Sequence, residues 1–116
     1  YENVTVLDIA ETAIAFTKER LGRAAGQVNW LTADVTTVAL PRAAYDLWHD
    51  RAVFHFLTEP AQREAYVRQV AQAVRPGGYV IIATFGEQGP TKCSGLNIVR
   101  YNAGALHGEF GTRFEL

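Results

Sequence analysis

The stretch Tyr45-Asp46-Leu47-Trp48-His49-Asp50-Arg51 decides how the rest of the chain is interpreted. Its pattern is typical of a short buried strand that ends in three ionisable side chains, and an apolar run at residues 52–57 follows it directly. In open α/β sheets, ligands bind in the crevice outside the carboxyl ends of the strands. The sequence therefore predicts a functional site at the end of this strand, with His49, Asp50 and Arg51 as candidate residues.

Length and charge indicate one domain over residues 1–116. The chain has 116 residues, of which 48% are hydrophobic, and this is enough for one core but not for an additional substrate domain. The formal net charge is -1, and the eleven lysines and arginines are scattered along the chain. This distribution argues against nucleic acid or an anionic membrane surface as the main partner.

The cysteine content and the absence of long apolar runs bear on the compartment. The single cysteine, Cys93, excludes an internal disulfide and fits a reducing environment. No secretory leader pattern precedes the first strand, and the apolar runs are far shorter than the ~18 residues of a membrane span. We therefore predict a cytoplasmic protein that does not enter a membrane. No spacing of histidines and Cys93 suits a metal site, and Cys93 itself is expected to be an inert thiol.

Hydrophobic periodicity predicts alternating strands and helices. The first part of the chain is expected to form a strand at 4–9, a helix at 11–21 that ends at Gly22, a turn at 24–26, a strand at 28–32 and a loop at 35–41. The second part is expected to form a strand at 45–49 and a helix at 61–74 with Pro60 in its first turn. An apolar stripe on this helix is expected to contain Tyr66, Val67, Val70, Ala71 and Val74. The remaining segments are expected to be a stop at 75–78, a strand at 79–85, a loop at 86–95, a helix at 103–107 capped by Asn102, and the start of a strand at 113–116. Strands separated by helices favour a mainly parallel α/β sheet.

Four segments carry a family resemblance through their order and spacing. They are residues 4–10 with Asp8 at the strand end, Ala33-Asp34-Val35, residues 45–51, and Arg75-Pro76-Gly77-Gly78-Tyr79. In that order they resemble the second strand, the adenine-side motif, the fourth strand and the turn into the fifth strand of class I methyltransferases, which use S-adenosyl-L-methionine (SAM). The resemblance implies a partial Rossmann-like three-layer sandwich of α/β class, with a mainly parallel sheet that lacks the usual first strand.

The resemblance also implies a cofactor site for SAM, and its adenosine side falls on two strand ends. Asp8, with Ile9 beside it, corresponds to the carboxylate that accepts hydrogen bonds from the ribose hydroxyls. Asp34 corresponds to the acceptor for the exocyclic amine of adenine, and the N–H of Val35 to a donor for a ring nitrogen.

The methionine side of the implied site falls on His49, Asp50 and Arg51, which would lie near the methyl group. Methyl transfer from a sulfonium depends mainly on alignment of the acceptor with the methyl carbon, so we assign no catalytic residue. No extension for nucleic-acid or protein binding is visible, and a small-molecule acceptor is therefore predicted.

The sequence departs from the family pattern at both ends. In the family, a first strand and a glycine-rich turn precede the segment that begins here at Val4, but this chain has no glycine before Gly22. The family's last strands, which should follow Leu116, are also missing. We expect a truncated domain with weak or absent SAM affinity as an isolated chain, and a homodimer that pairs its exposed sheet edges.

Alternatives remain for the function and for each site. Two functions fit the sequence: a SAM-dependent methyltransferase, and a non-catalytic, self-associating remnant of that fold. A nicotinamide-dependent dehydrogenase needs a glycine fingerprint that the sequence does not show. The alternative role of Asp8 is that of an acid before a helix, and the alternative role of Asp34 is that of a turn residue. The alternative for the three residues after Trp48 is a structural ion-pair cluster.

Overall fold

The computed structural model describes residues 2–116. The chain divides into two compact units, the first ending at Ala39 and the second covering Leu40–Leu116. Each unit contains one pair of parallel strands. The expectation that residues 1–116 form a single domain stays a prediction.

The first unit is a strand–helix–strand motif. Its elements are β1 (Val4–Asp8), α1 (Glu11–Leu21), a 3₁₀ helix (Gly22–Gln27) and β2 (Val28–Thr32). The two strands pair in parallel and in register, from Val4 opposite Val28 to Asp8 opposite Thr32. The predicted strands and the predicted helix are confirmed, because β-branched residues and the alanine-rich stretch each lie in the element that they favour.

Helix α1 ends where the sequence predicts. Gly22 has a φ of +59°, which residues with a side chain rarely adopt, and its N–H donates to the carbonyls of Lys18 and Glu19. The predicted turn at 24–26 is wrong in type, because these residues belong to the 3₁₀ helix that follows directly. That helix is tied to β2 by the indole N–H of Trp30, which donates to the carbonyl of Ala25 over 3.0 Å.

The second unit is built on β3 (Tyr45–Arg51) and β4 (Val74–Ala83). Between them lie a short 3₁₀ helix (Phe54–Phe56) and α2 (Pro60–Ala73), which starts with its proline in the first turn as predicted. The predicted end of β3 at His49 is two residues too early, since pairing with β4 continues through Arg51 opposite Ala83. His49, Asp50 and Arg51 therefore lie within the strand and not beyond it.

An irregularity interrupts the pairing of β3 and β4 near its start. Tyr45 pairs with Val74 and Leu47 with Tyr79, so Asp46 alone lies opposite residues 75–78. The glycines of this segment permit the bulge, because a Cβ on Gly78 would lie 2.9 Å from the carbonyl oxygen of Asp46. The expected stop at 75–78 is thus a bulge inside a strand that begins at Val74.

The core of the second unit lies where α2 packs on this sheet. Phe54 is fully buried, and its ring centroid lies 4.9 Å from that of Tyr66, 5.3 Å from Phe110 and 5.7 Å from Tyr101. The buried residues of α2 are Tyr66, Val67, Val70 and Ala73. The apolar stripe predicted for this helix is confirmed at Tyr66, Val67 and Val70, while Ala71 is half-buried and Val74 is buried but belongs to β4.

The last part of the chain differs from the sequence prediction in two places. The predicted loop at 86–95 contains β5 (Lys92–Cys93), which forms a two-residue antiparallel hairpin with β6 (Leu96–Asn97). The predicted final strand at 113–116 is wrong, because the N–H of Phe114 donates to the carbonyl of Gly111 in a turn and its ring packs against Phe110.

The third helix, α3 (Ala103–Phe110), is three residues longer than predicted. Its cap is confirmed, since the side-chain oxygen of Asn102 accepts the N–H of Ala105 over 2.7 Å. Within the part of the chain that the structure describes, no helix is both long and apolar enough to cross a membrane.

Candidate functional site

Asp8 is the last residue of β1 and is half-buried. Its Oδ1 accepts the N–H of Ala10 over 2.8 Å, which turns the chain from the strand into α1. The bond is compatible with the alternative role of Asp8 as an acid before a helix. It occupies Oδ1 and not the second carboxylate oxygen. Ile9, the other predicted residue here, has a side chain that is 71% exposed.

Asp34 lies two residues beyond the end of β2 and shapes a tight turn. Its Oδ1 accepts both the N–H of Thr36, over 2.9 Å, and the hydroxyl of Thr36, over 2.7 Å. These two hydrogen bonds, the side-chain one foremost, hold the pKa of the Asp34 carboxyl below its ordinary value. The carboxylate thus stays ionised and available as an acceptor. Val35 is half-buried in the same turn.

Both acids lie at one edge of the first unit. The N–H of Ala33 donates to the carbonyl oxygen of Asp8 over 3.0 Å, so the pairing of β1 and β2 continues to the residue before Asp34. In a parallel pair this edge is formed by the carboxyl ends of the strands, where ligands bind in open α/β folds. The structure therefore brings together four of the predicted residues, which are Asp8, Ile9, Asp34 and Val35.

The three candidates on β3 do not share a face. His49 and Arg51 are exposed and pair with Ile81 and Ala83 of β4, which are also exposed. Asp50 lies between them in the strand, and its side chain points to the opposite face because successive residues of a strand alternate. Among residues 2–116 no ion pair joins the three side chains, and the alternative of a structural ion-pair cluster finds no support.

Asp50 is buried, with 5% of its surface exposed, and its carboxylate has three donors. Oδ1 accepts the N–H of Val53 over 2.9 Å, while Oδ2 accepts the N–H of Phe54 over 3.0 Å and the hydroxyl of Tyr66 over 2.5 Å. The hydroxyl of Tyr66 in turn accepts the indole N–H of Trp48 over 2.9 Å. The contact of Asp50 with the cofactor stays a prediction. In the structure its carboxylate contacts Val53, Phe54 and Tyr66.

Tyr66 and His55 are not among the residues that the sequence predicts for a site. Tyr66 belongs to the apolar stripe predicted for α2, and nothing in the sequence near it indicates that its hydroxyl bonds to Asp50 and Trp48 of β3. His55 stands in an apolar run, yet it is fully buried, and its Nδ1 accepts the N–H of Phe85 over 3.4 Å. Among the described residues, its Nε2 has no hydrogen-bond partner. Burial lowers the pKa of His55, and the charge of Asp50 opposes this shift.

A comparison with protein families gives the identity of the fold. The sequence profile described as a methyltransferase domain matches residues 1–82, which include both acids and the whole of β3. The chain belongs to the methyltransferase domain family. The predicted class I methyltransferase family is confirmed. A search of curated proteins finds no match.

Solved structures share the fold of this methyltransferase domain. A SAM-dependent methyltransferase from Mesorhizobium loti superimposes with a TM-score of 0.74 at 17% identity, over 94% of this chain and 61% of that chain. The 1,6-didemethyltoxoflavin-N1-methyltransferase of Burkholderia thailandensis, solved with 1,6-didemethyltoxoflavin and S-adenosylhomocysteine, gives 0.70 at 20% identity, over 92% and 48%. A SAM-dependent methyltransferase from Methanosarcina mazei gives 0.63 at 20% identity, over 74% and 43%.

These comparisons confirm the predicted fold class, a partial Rossmann-like α/β fold with parallel strand pairs. At identities of 17 to 20% the likeness establishes the fold alone. The methyltransferase domain described here spans from 43% to 61% of the length of these three proteins.

Proposed function

We propose that this domain binds SAM and serves the transfer of its methyl group to a small molecule. The observation that carries the proposal is the pair of carboxylates, Asp8 and Asp34, at the adjoining carboxyl ends of β1 and β2. Both lie within the segment that matches the methyltransferase family. The small molecule bound to the Burkholderia thailandensis enzyme supports an acceptor of this class.

The donor and acceptor chemistry of the first unit fits the adenosine part of SAM. Asp8 uses Oδ1 for the N–H of Ala10, and Asp34 uses Oδ1 for Thr36. Among the described residues neither Oδ2 has a hydrogen-bond partner. Each carboxylate therefore keeps one oxygen free to accept from a ligand, as vicinal ribose hydroxyls and an adenine amine require.

The chain's own residues would bind SAM and orient it. When bound, the cofactor supplies an activated methyl group. Asp8 would hold the ribose and Asp34 would select the adenine amine, and each acts from a position fixed by its own turn. Alignment of an acceptor with the methyl carbon is the main requirement of this reaction, and a general base is not essential to it.

A titration with S-adenosylhomocysteine tests the proposal, and Asp8→Asn probes the site. Asparagine keeps an oxygen for the N–H of Ala10 but loses the charge that strengthens hydrogen bonds to hydroxyls. Since hydrogen bonds to charged groups contribute about 1.5–3 kcal/mol, we expect an affinity loss of about 10- to 100-fold by calorimetry. The control is Glu11→Gln, which removes the acid of the first turn of α1 and should leave the affinity unchanged.

A second candidate function is a non-catalytic, self-associating remnant of the fold. The observation that favours it is the exposed apolar face of β4, where Tyr79 is 72% and Ile81 50% exposed. No binding of S-adenosylhomocysteine at millimolar concentration by the folded chain would favour this candidate. In that case Asp8→Ala would alter thermal stability more than any methyl-transfer rate.

We also propose that the chain forms a homodimer through its sheet edges. In residues 2–116 the two parallel sheets have two strands each, so that every one of these strands has an unpaired side. Unpaired apolar strands readily accept another strand, and a second copy of the chain provides one.

We further propose a cytoplasmic location. The thiol of Cys93 is free and half-buried, and proteins with an unpaired thiol are typical of reducing compartments. Fractionation of cells that express the full protein would test the location, and recovery outside the cytoplasm would contradict it.

A further inference from the structure

Three side chains in the second unit, of which Tyr66 and Asp50 are buried and Trp48 is half-buried, form a continuous series of hydrogen bonds. The indole N–H of Trp48 donates to the hydroxyl of Tyr66, which donates to Oδ2 of Asp50. Tyr66 is 1% exposed and Asp50 is 5% exposed. A tyrosine hydroxyl has one donor and accepts as well, so the direction of both bonds is determined by the indole, which can only donate.

At its Asp50 end, this series of hydrogen bonds holds the backbone that follows β3. The carboxylate of Asp50 accepts the N–H groups of Val53 and Phe54, and the N–H of Ala52 donates to the carbonyl of Ala83 over 2.9 Å. Ala52 has a φ of +64°, a region that residues with a Cβ rarely occupy. Such a conformation persists where surrounding contacts impose it, and these hydrogen bonds are the contacts at this turn.

The turn determines where β3 ends and therefore how its last side chains are presented. His49 and Arg51 flank Asp50 in the strand and lie on the opposite, exposed face. A side chain anchored on the buried face thus fixes the end of the strand that carries the two exposed side chains.

We propose that Asp50 and Tyr66 are positioning residues, which hold the turn after β3 and so fix His49 and Arg51 at the exposed end of that strand for contact with a ligand. This inference rests on the proposed function for its ligand. It gives Asp50 a role on the covered face of the sheet, where it supports the strand and does not touch the cofactor. Trp48 completes the arrangement by holding the tyrosine hydroxyl from its other side.

Tyr66→Phe is the direct test, because phenylalanine keeps the ring packing against Trp48 and Phe54 and removes only the hydroxyl. Amide hydrogen exchange, followed by NMR, should become at least tenfold faster at Val53 and Phe54 and should change little in the middle of α2. The indole N–H resonance of Trp48 should also shift. Unchanged exchange at Val53 and Phe54 would overturn the proposal.

Tyr101→Phe is the matched control. Tyr101 is also a buried tyrosine, 7% exposed, and its hydroxyl has no hydrogen-bond partner among the described residues. Its substitution removes the same atom from the same core without touching Asp50. Equal acceleration of exchange at Val53 and Phe54 in this variant would mean general loosening of the core and would contradict a specific positioning role.

A ligand measurement separates this inference from the proposed function. For wild-type protein that binds S-adenosylhomocysteine, we expect about tenfold weaker binding by Tyr66→Phe and by Asp50→Asn, with Tyr101→Phe unchanged. Equal affinity of Tyr66→Phe and wild type would overturn the positioning role. Failure of the wild type to bind would instead overturn the proposed function, and the exchange measurement would still decide whether the turn depends on Tyr66.

Discussion

His55 is a fully buried histidine whose surroundings disfavour a positive charge. Its ring lies edge-on to Phe56 and Phe85, at centroid distances of 4.6 and 4.9 Å. Because Nδ1 accepts the N–H of Phe85, the single proton of the neutral ring is assigned to Nε2. Protonation would break this bond and place a positive charge among aromatic rings. The negative charge of Asp50 acts in the other direction and favours the protonated ring.

His55 should make the stability of the protein depend on pH. Its pKa is lowered from 6.5 in the folded state, so the unfolded chain binds the proton first as the pH falls. The contribution of neutral His55 is complete above pH 6.5 and is lost as the pH falls toward the folded-state pKa. One proton corresponds to a slope of at most about 1.4 kcal/mol per pH unit, which chemical denaturation at pH 5 to 7.5 would measure.

His55→Phe should abolish that slope, since phenylalanine fills a similar volume and does not titrate. His49→Gln is the control, because His49 is exposed on β3 and its substitution should leave the slope in place. A slope that persists in His55→Phe would assign the acid sensitivity to other groups.

At the scale of the elements, the bulge between β3 and β4 explains the run Arg75-Pro76-Gly77-Gly78. Gly77 has a φ of +80°, and a Cβ on Gly78 would lie 2.6 Å from Cγ1 of Val74 in the same strand and 2.9 Å from the carbonyl oxygen of Asp46 on β3. The bulge also brings the guanidinium of Arg75 to the carboxylate of Asp46. A turn motif in the sequence is thus used inside a strand to join helix α2 to the sheet without a loop.

Gly78→Ala should destabilise the protein because both close contacts involve atoms that have little freedom to move. We expect a loss of about 1–3 kcal/mol in the free energy of unfolding, measured by denaturant titration. Gly26→Ala is the matched control, since a Cβ there meets no atom within 4 Å and the backbone φ is not positive. Equal stability of the two variants would show that the bulge opens without cost.

At the scale of the whole molecule, one face of the sheet formed by β3 and β4 keeps exposed apolar side chains. Parallel strands are normally covered on both faces, yet Tyr79 and Ile81 of β4 are exposed. The face of the same sheet that carries Trp48 and Asp50 is covered by α2. The exposed apolar face, together with the unpaired sides of the strands, supports the proposal that a second copy of the chain associates with this sheet.

The proposed dimer predicts a mass in solution of twice that of one chain, measured by light scattering. Ile81→Lys should shift the protein toward monomer, because a lysine on a strand with one unpaired side opposes both edge pairing and apolar burial. Phe16→Lys is the control, since Phe16 is also exposed, at 69%, but lies on α1 and not in a sheet. A wild-type monomer at the concentrations of the titration would contradict the dimer.

Local patterns in the sequence predicted the identity and order of most elements. The β-branched run of β1, the stop at Gly22, the proline of α2 and the cap at Asn102 are short-range features, and they were correct because each depends on neighbours within a few residues. The order and spacing of the segments that resemble methyltransferase motifs predicted the family. The short strands β5 and β6 were missed, since two residues carry too little periodicity to be read.

Sequence alone determined the fold family and the positions of Asp8 and Asp34 at strand ends, because strand ends and turns are set by local backbone preferences. Only the tertiary structure decided that Asp50 points inward to Tyr66 while His49 and Arg51 point outward. The direction of a strand residue depends on which face the rest of the chain covers, and here the packing of α2 on one face of the sheet made that choice.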